Sequence, residues 1–237
     1  MILPRKKHGT PAKNFHYLFE SCDFSSFDYV GLSDQDDIWF LDKLYRAHLL
    51  LESSDYCAYS SDIIAKYING KEKYIKKSHP IKKYDYLFES AGPGCSYIIK
   101  TKFIFEYVSF IKMNRPIIND INCHDWTIYA YMRSNGNKWF IDSTPSLFYR
   151  QHESNAEGAN LGFLALLNRL KSCISGEYRQ RCLSILNLNE SNNLKFKNLL
   201  NGSWFSNLQL LMIIGEIRRS PKTRSLMAIL LLFGFFR

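Results

Sequence analysis

The six cysteines of this sequence (Cys22, Cys57, Cys95, Cys123, Cys173 and Cys182) form no C-x-x-C pair and no close Cys/His ligand set, so zinc and dithiol redox motifs are set aside. No signal peptide is present at Met1-Ile-Leu-Pro-Arg-Lys-Lys7, which makes a reduced, cytoplasmic compartment the expectation. Long apolar runs are scarce as well. The terminal run from Leu226 to Phe236 has 11 residues, short of the roughly 20 that a membrane-spanning helix needs. The glycines around Pro93 follow neither Walker nor Rossmann spacing, and no heptad pattern is long enough for a coiled coil.

Negative charge is in short supply, with 22 Asp and Glu against 31 Lys and Arg. The imbalance is local: from Leu161 to Arg237 there are eleven Lys and Arg against three Glu, which accounts for +8 of the net +9. A basic, apolar tail on a nearly neutral body points to an anionic partner for the tail alone. No nucleic-acid motif accompanies it, so lipid is favoured over nucleic acid. At 237 residues with 46% hydrophobic side chains, the chain can bury one globular core, or one core and an appendage. The 15% aromatic content fills that core, with sugar-stacking or membrane-interface surfaces as further uses.

What the sequence does have is an acidic stretch, Asp28-Tyr-Val-Gly-Leu-Ser-Asp34-Gln-Asp36-Asp37-Ile-Trp39. Tyr29 to Leu32 reads as a buried strand that delivers three carboxylates to the rim of a sheet. Crowded carboxylates repel one another, and a hard divalent cation such as Mg²⁺ or Mn²⁺ relieves that repulsion. The bland alternative is a solvated turn in which Asp36 or Asp37 caps a helix starting near Phe40. An EF-hand is excluded because its sixth position, counted from Asp34, is Trp39 rather than glycine.

Periodicity predicts a short helix over 14–22, a helix from 40 to 51, a strand over 56–65, and a mobile loop or hairpin over 66–83. A tight turn at Ala91–Ser96 leads into a strand, followed by an apolar helix over 101–113 and an irregular link over 114–123 around Pro116. His124-Asp125-Trp126 then opens a helix running to about Arg133, and strands are expected at 138–142 and 146–149. Asp125 at a helix start is either a cap held ionised by the dipole or a general base for a sugar hydroxyl. His152 is either an ordinary histidine or a metal ligand, and Arg150 is suited to a diphosphate. Five amphipathic helices are expected beyond Asn160: 161–174, 178–188, 194–200, 204–217 and 225–236. The last, preceded by Arg218, Arg219, Lys222 and Arg224, reads as an interfacial anchor, or else as a helix that packs on protein.

Taken together, Asn14-Phe15, Leu32-Ser-Asp-Gln-Asp-Asp-Ile-Trp39 with Lys43-Leu44, Gly94-Cys-Ser96, His124-Asp-Trp126, and Tyr149-Arg-Gln-His152 with Asn155 and Gly158 run in the order found in family-2 glycosyltransferases. The sequence most resembles their rhamnosyltransferase-like branch, which builds O-antigen and capsule polysaccharides. The match covers roughly residues 9 to 160. It implies a GT-A-type α/β fold, a mixed sheet flanked by helices, over 1–160, with a basic helical extension over 161–237. Family members begin with a strand, a Tyr-Asn turn, a helix and a strand ending Asp-Asp-Gly-Ser, so the first βαβ unit is expected to be lacking here.

The resemblance implies inverting transfer from a nucleoside-diphosphate sugar to a lipid-linked oligosaccharide at the inner face of the cell membrane. In it Asp125 is the catalytic base, Asp34, Asp36 and His152 hold Mg²⁺ or Mn²⁺, and Arg150 helps to close the phosphate end. Trp39, Gly94, Cys95, His124 and Trp126 contact substrate. Two other classes remain open: an inactive or split fragment acting as a membrane-associated module, and a metal-dependent phosphotransferase or hydrolase built on Asp34 and Asp36.

Overall fold

The protein is described here by a computed structural model covering residues 9–151, 163–190 and 193–236. It divides into two compact units, one from the described residues of Met1–Ser78 and Ser90–Ala156, the other from those of His79–Glu89 and Glu157–Arg237.

The first unit is mixed α/β. Its strands are β1 (Tyr29–Gly31), β2 (Ile38–Trp39), β3 (Tyr56–Ser61), β4 (Ile63–Tyr67), β5 (Glu72–Ile75), β6 (Ile98–Lys100), β7 (Lys138–Asp142) and β8 (Leu147–Gln151). They form two four-stranded sheets, ordered β1-β6-β3-β7 and β2-β8-β4-β5, rather than one. In each, a parallel pair (β3 with β7, β4 with β8) sits among antiparallel neighbours. The stretch 56–65, expected as one strand, crosses from the first sheet to the second at Asp62.

The physical reason is the Asp62 carboxylate, which is fully buried and accepts hydrogen bonds from the Ser78 amide (2.7 Å), the Ser78 hydroxyl (2.8 Å), the Lys77 amide and the Tyr74 hydroxyl. A buried carboxyl satisfied this way cannot sit in an uninterrupted ladder among apolar side chains, so the chain turns a corner. Asp142 and Ser146 stitch the same corner through Asp62 N–H to Asp142 carbonyl (2.9 Å) and a Ser61–Ser146 hydroxyl pair (2.6 Å).

Around the sheets lie α1 (Pro11–Ser21), α2 (Lys43–Glu52), α3 (Thr101–Met113), α4 (Arg115–Asp120) and α5 (His124–Ser134). Thr10 caps α1 by accepting from the Lys13 amide at 3.3 Å, and the apolar stripe Ala12, Phe15 and Phe19 is buried, as the 3.6-residue period requires. Ala47 and Leu51 of α2 pack on Tyr59 and Ile98, while Ile63, Cys95 and Leu147 form a second cluster. Helix α2 starts three residues later than expected, with Asp42 at its N-cap and β2 between it and the acidic loop, so neither Asp36 nor Asp37 is its cap. The link 114–123 contains α4, because Pro116 lies in the first turn where a missing N–H costs nothing.

The second unit is helical: α6 (Phe163–Ile174), α7 (Glu177–Asn189), α8 (Leu194–Leu199), α9 (Trp204–Met212), α10 (Ile214–Ile217) and α11 (Pro221–Leu232). The single helix expected over 204–217 is broken at Ile213 into α9 and α10. His79–Glu89 belongs to this unit, whereas the preceding part of the expected loop is the β4–β5 hairpin. Arg219 is buried and faces Asp85 and Glu89, each at 3.4 Å, and Arg218 donates to the Phe88 carbonyl and the Tyr178 hydroxyl, both at 2.8 Å. These two arginines therefore serve the interior of the unit rather than flanking a surface anchor. Among the described residues, no helix is long and apolar enough to cross a membrane.

Candidate active site

Strand β1 ends at Gly31, and the chain leaves the first sheet as an open loop before β2 joins the second. Asp34, Asp36 and Asp37 lie on that loop, all half-buried. Ligand atoms of Asp34, Asp37 and Cys95 lie within 4.8 Å of one another. Burial pushes the Asp37 carboxyl up to about 6, and the neighbouring charges of Asp34 and Asp36 add to that. Both Asp37 oxygens are buried and accept no well-formed N–H or O–H hydrogen bond, with the Cys95 thiol facing them as a donor. Asp34 is raised too, first by burial, then by Asp36, then by Asp125. Cys95 is fully buried, and its thiol is pushed well above its usual value by that burial, with Asp37 and Asp34 contributing.

Buried carboxylate oxygens short of N–H and O–H donors, mutual repulsion and converging ligand atoms fit a divalent cation. The oxygen donors of Asp34 and Asp37 suit Mg²⁺ or Mn²⁺. The sequence reading paired Asp34 with Asp36; the group whose ligand atoms converge contains Asp37 and Cys95 instead. Asp36 lies beside them, and its backbone carbonyl accepts from Arg150 Nε, which brings the exposed Arg150 from the end of β8 to the acidic loop. His152, together with Asn155 and Gly158, lies outside the described residues.

Across from the loop is the turn Gly94–Ser96, buried throughout. Its glycine is dictated by space, since a Cβ there would stand 2.6 Å from His124 Nε2 and 3.4 Å from the Asp125 Cβ. His124 is the first residue of α5 and stacks on Phe15 with ring centroids 4.1 Å apart. Burial lowers it to about 4, so the ring is neutral at neutral pH, and its Nε2 has no hydrogen-bond partner. Asp125 is in the first turn, where the helix dipole favours a carboxylate. Burial raises its pKa, while the Trp126 amide (2.8 Å), Ser90 and the Lys77 ammonium pull it back. Trp126 itself is buried. Trp39 is half-buried on β2.

Lys43 belongs to the motif resemblance but carries no assigned role there. It is fully buried, donates from Nζ to the Cys95 carbonyl at 2.6 Å, and lies 3.5 Å from the Trp39 ring centroid. Burial lowers it to about 8, against the pull of Asp37 and Asp34. Its spacing, four residues beyond Trp39, was the available signal. The structure thus gathers Asp34, Asp36, Asp37, Lys43, Gly94, Cys95, His124 and Asp125, with Arg150 touching the rim.

No family model matches the sequence. A dTDP-rhamnosyl transferase of Shigella flexneri, RfbG, is 36% identical over 236 residues, which is 99% of this chain and 81% of that protein. Among solved structures, residues 1–349 of S. aureus TarS in complex with UDP-GlcNAc superpose at a TM-score of 0.43 with 12% identity, over 96% of this chain and 70% of the other.

Proposed function

The chain belongs to the same glycosyltransferase family as the Shigella flexneri dTDP-rhamnosyl transferase, and from that premise we propose that it moves a sugar, rhamnose first among candidates, from a nucleoside diphosphate to an acceptor hydroxyl with inversion. The observation that supports the reading is geometric: ligand atoms of Asp34, Asp37 and Cys95 converge within 4.8 Å, and Gly94, next to Cys95, lies against His124 and Asp125, so the acidic loop and the start of α5 both border the Gly94–Ser96 turn. Asp125 takes the proton of the acceptor hydroxyl as its oxygen bonds to the anomeric carbon, and the bond to the diphosphate breaks with its electron pair leaving on the phosphate oxygen. Arg150 meets the phosphates as a fixed, planar cation. The neutral His124 ring offers its unpartnered Nε2 to a sugar hydroxyl, beside Gly94 and Cys95.

Asp34 and Asp37, with Asp36 beside them, would hold Mg²⁺ or Mn²⁺. When bound, the ion supplies positive charge to the departing diphosphate. GT-A architecture and an O-antigen or capsule acceptor follow from the motif resemblance of residues 9 to 160.

The test is release of dTDP from dTDP-rhamnose in Mn²⁺, with and without a lipid-linked oligosaccharide. Release that requires acceptor and is abolished by EDTA is expected. Release without acceptor would favour the hydrolase reading, and absence of both turnover and nucleotide binding by calorimetry would overturn the proposal.

The acceptor class places the enzyme at an anionic membrane surface, and the helical unit has the apolar side chains for it. Trp204, Phe205, Leu232, Phe233 and Phe235 are exposed, with Trp204 Nε1 donating to the Leu232 carbonyl (3.4 Å) and Lys222 exposed on α11. Phe205→Ser with Phe233→Ser is expected to reduce pelleting with vesicles containing phosphatidylglycerol while leaving the melting temperature unchanged. Equal pelleting of both forms removes the anchor.

A further inference from the structure

Lysine is the wrong residue for the place it occupies at the start of α2. It is the first residue of that helix, where the backbone N–H groups point their partial positive charge at it, and the helix has no side-chain cap to offset this. It is also fully buried, and taking an ammonium out of water costs several kcal/mol even after relaxation. Both terms oppose a cation, and both are overcome by contacts from elsewhere in the chain.

Those contacts are specific. The Nζ–H donates at 2.6 Å to the Cys95 carbonyl, 52 residues away. The ammonium lies over the Trp39 ring, a desolvated cation–π arrangement. Asp37 and Asp34 supply the opposite charge. One side chain therefore touches β2, faces the carboxylates of the acidic loop and grips the Gly94–Ser96 turn. That turn in turn abuts His124 and Asp125, because Gly94 leaves no more than the room of a hydrogen against them.

We propose that Lys43 is a positioning residue of the transfer site: its buried ammonium ties the Gly94–Ser96 turn to the acidic loop and so sets the spacing between the Asp34/Asp37 carboxylates and Asp125. The role in turnover rests on the glycosyl-transfer reading; the tether itself does not. Lys43 touches no reacting atom. It acts by holding the two halves of the site in register, and a misplacement of about 1 Å between reacting groups is enough to cost roughly 10²-fold in rate.

The experiment compares the full chain with Lys43→Met, which keeps the length and apolar stem but removes the charge and the donor. Removing the ammonium alone leaves the Asp34 and Asp37 carboxylates without their counter-charge and the Cys95 carbonyl without its donor, so the melting temperature is expected to fall. Turnover is expected to fall about 10²-fold with the donor KM moved less than about threefold, because geometry of the transition state is lost and ground-state binding is not. A readout independent of activity is maleimide labelling of Cys95 under native conditions, resolved from the other five cysteines by peptide mass. Cys95 is buried in the wild type, and is expected to label several-fold faster once the turn is released.

If Lys43→Met unfolds, Lys43→Gln is read on the same measurements. Wild-type turnover, or a loss of turnover matched by an equal rise in KM, overturns the positioning role. Unchanged Cys95 labelling overturns the tether. A wild-type protein that transfers no sugar would sink the transferase reading while the labelling arm still decides whether Lys43 holds the turn.

Discussion

Asp125→Asn is expected to lower kcat by about 10²–10⁴-fold, the range a positioned general base supplies, while nucleotide-sugar binding measured by calorimetry stays near the wild-type value. The substitution is nearly isosteric, and the amide remains in the first turn of α5 next to the Trp126 N–H, so the local fold has no reason to change. What it loses is the ability to accept a proton. A fall in donor affinity as large as the fall in turnover would show that Asp125 serves binding and not proton transfer.

The same residue predicts a pH profile. Burial raises its pKa, and Trp126, Ser90 and Lys77 only partly reverse that. A base must be ionised to act, so activity is expected to fall as pH drops through a value above the ordinary carboxylate range. The acidic limb of the kcat profile is the measurement, and Asp125→Asn should remove the contribution of Asp125 to it while leaving that of Asp37, which burial pushes up to about 6.

How much of this was legible in advance depended on whether local pattern and tertiary environment agreed. The apolar period of Thr101–Met113 and the alternation of Lys138–Asp142 produced α3 and β7 with the expected boundaries, because nothing in either segment conflicts with its neighbours. Asp62 hid the break between β3 and β4, since its partners at Tyr74, Lys77 and Ser78 come 12 to 16 residues later and no local pattern reveals them. Pro116 disguised α4 as a loop. In the site, the carboxylates were legible because crowding of like charge is itself a chemical signal. The resemblance pointed to Asp34 and Asp36, whereas the convergence of Asp37 with Asp34 and Cys95 depends on where the Gly94–Ser96 turn lies, about 60 residues later, which no local spacing reveals. Lys43 stood in the motif resemblance without a role for a related reason: hydropathy places a lysine at that position in water, and only the carbonyl of Cys95 and the ring of Trp39 explain why it is not there. The outward reading of Arg218 and Arg219 failed likewise, because Asp85 and Glu89, which draw them inward, lie some 130 residues earlier.

Gly94→Ala is the second large effect, and it arises from a single carbon. The backbone at Gly94 carries no positive φ, so no conformational strain attaches to alanine there. The penalty is purely spatial: the new Cβ would stand 2.6 Å from His124 Nε2, a separation real Cβ atoms do not show. His124 has little freedom to retreat, because its ring is stacked on Phe15 at 4.1 Å and its backbone begins α5. Either the turn or the helix start must shift, and both carry the site. Turnover is expected to fall by about 10²-fold or more, the scale set by a small displacement of reacting groups, with only the modest destabilisation of an overpacked contact, about 1–3 kcal/mol. Gly31→Ala is the control. There the new Cβ would meet Ile98 Cδ1 at 2.9 Å and the rim of the Trp39 ring at 3.3 Å, an overpacked contact of comparable severity that reaches neither His124 nor Asp125. A chain in which Gly31→Ala and Gly94→Ala lose activity equally would mean that general packing, and not the spacing of His124 and Asp125 from the Gly94–Ser96 turn, governs the rate.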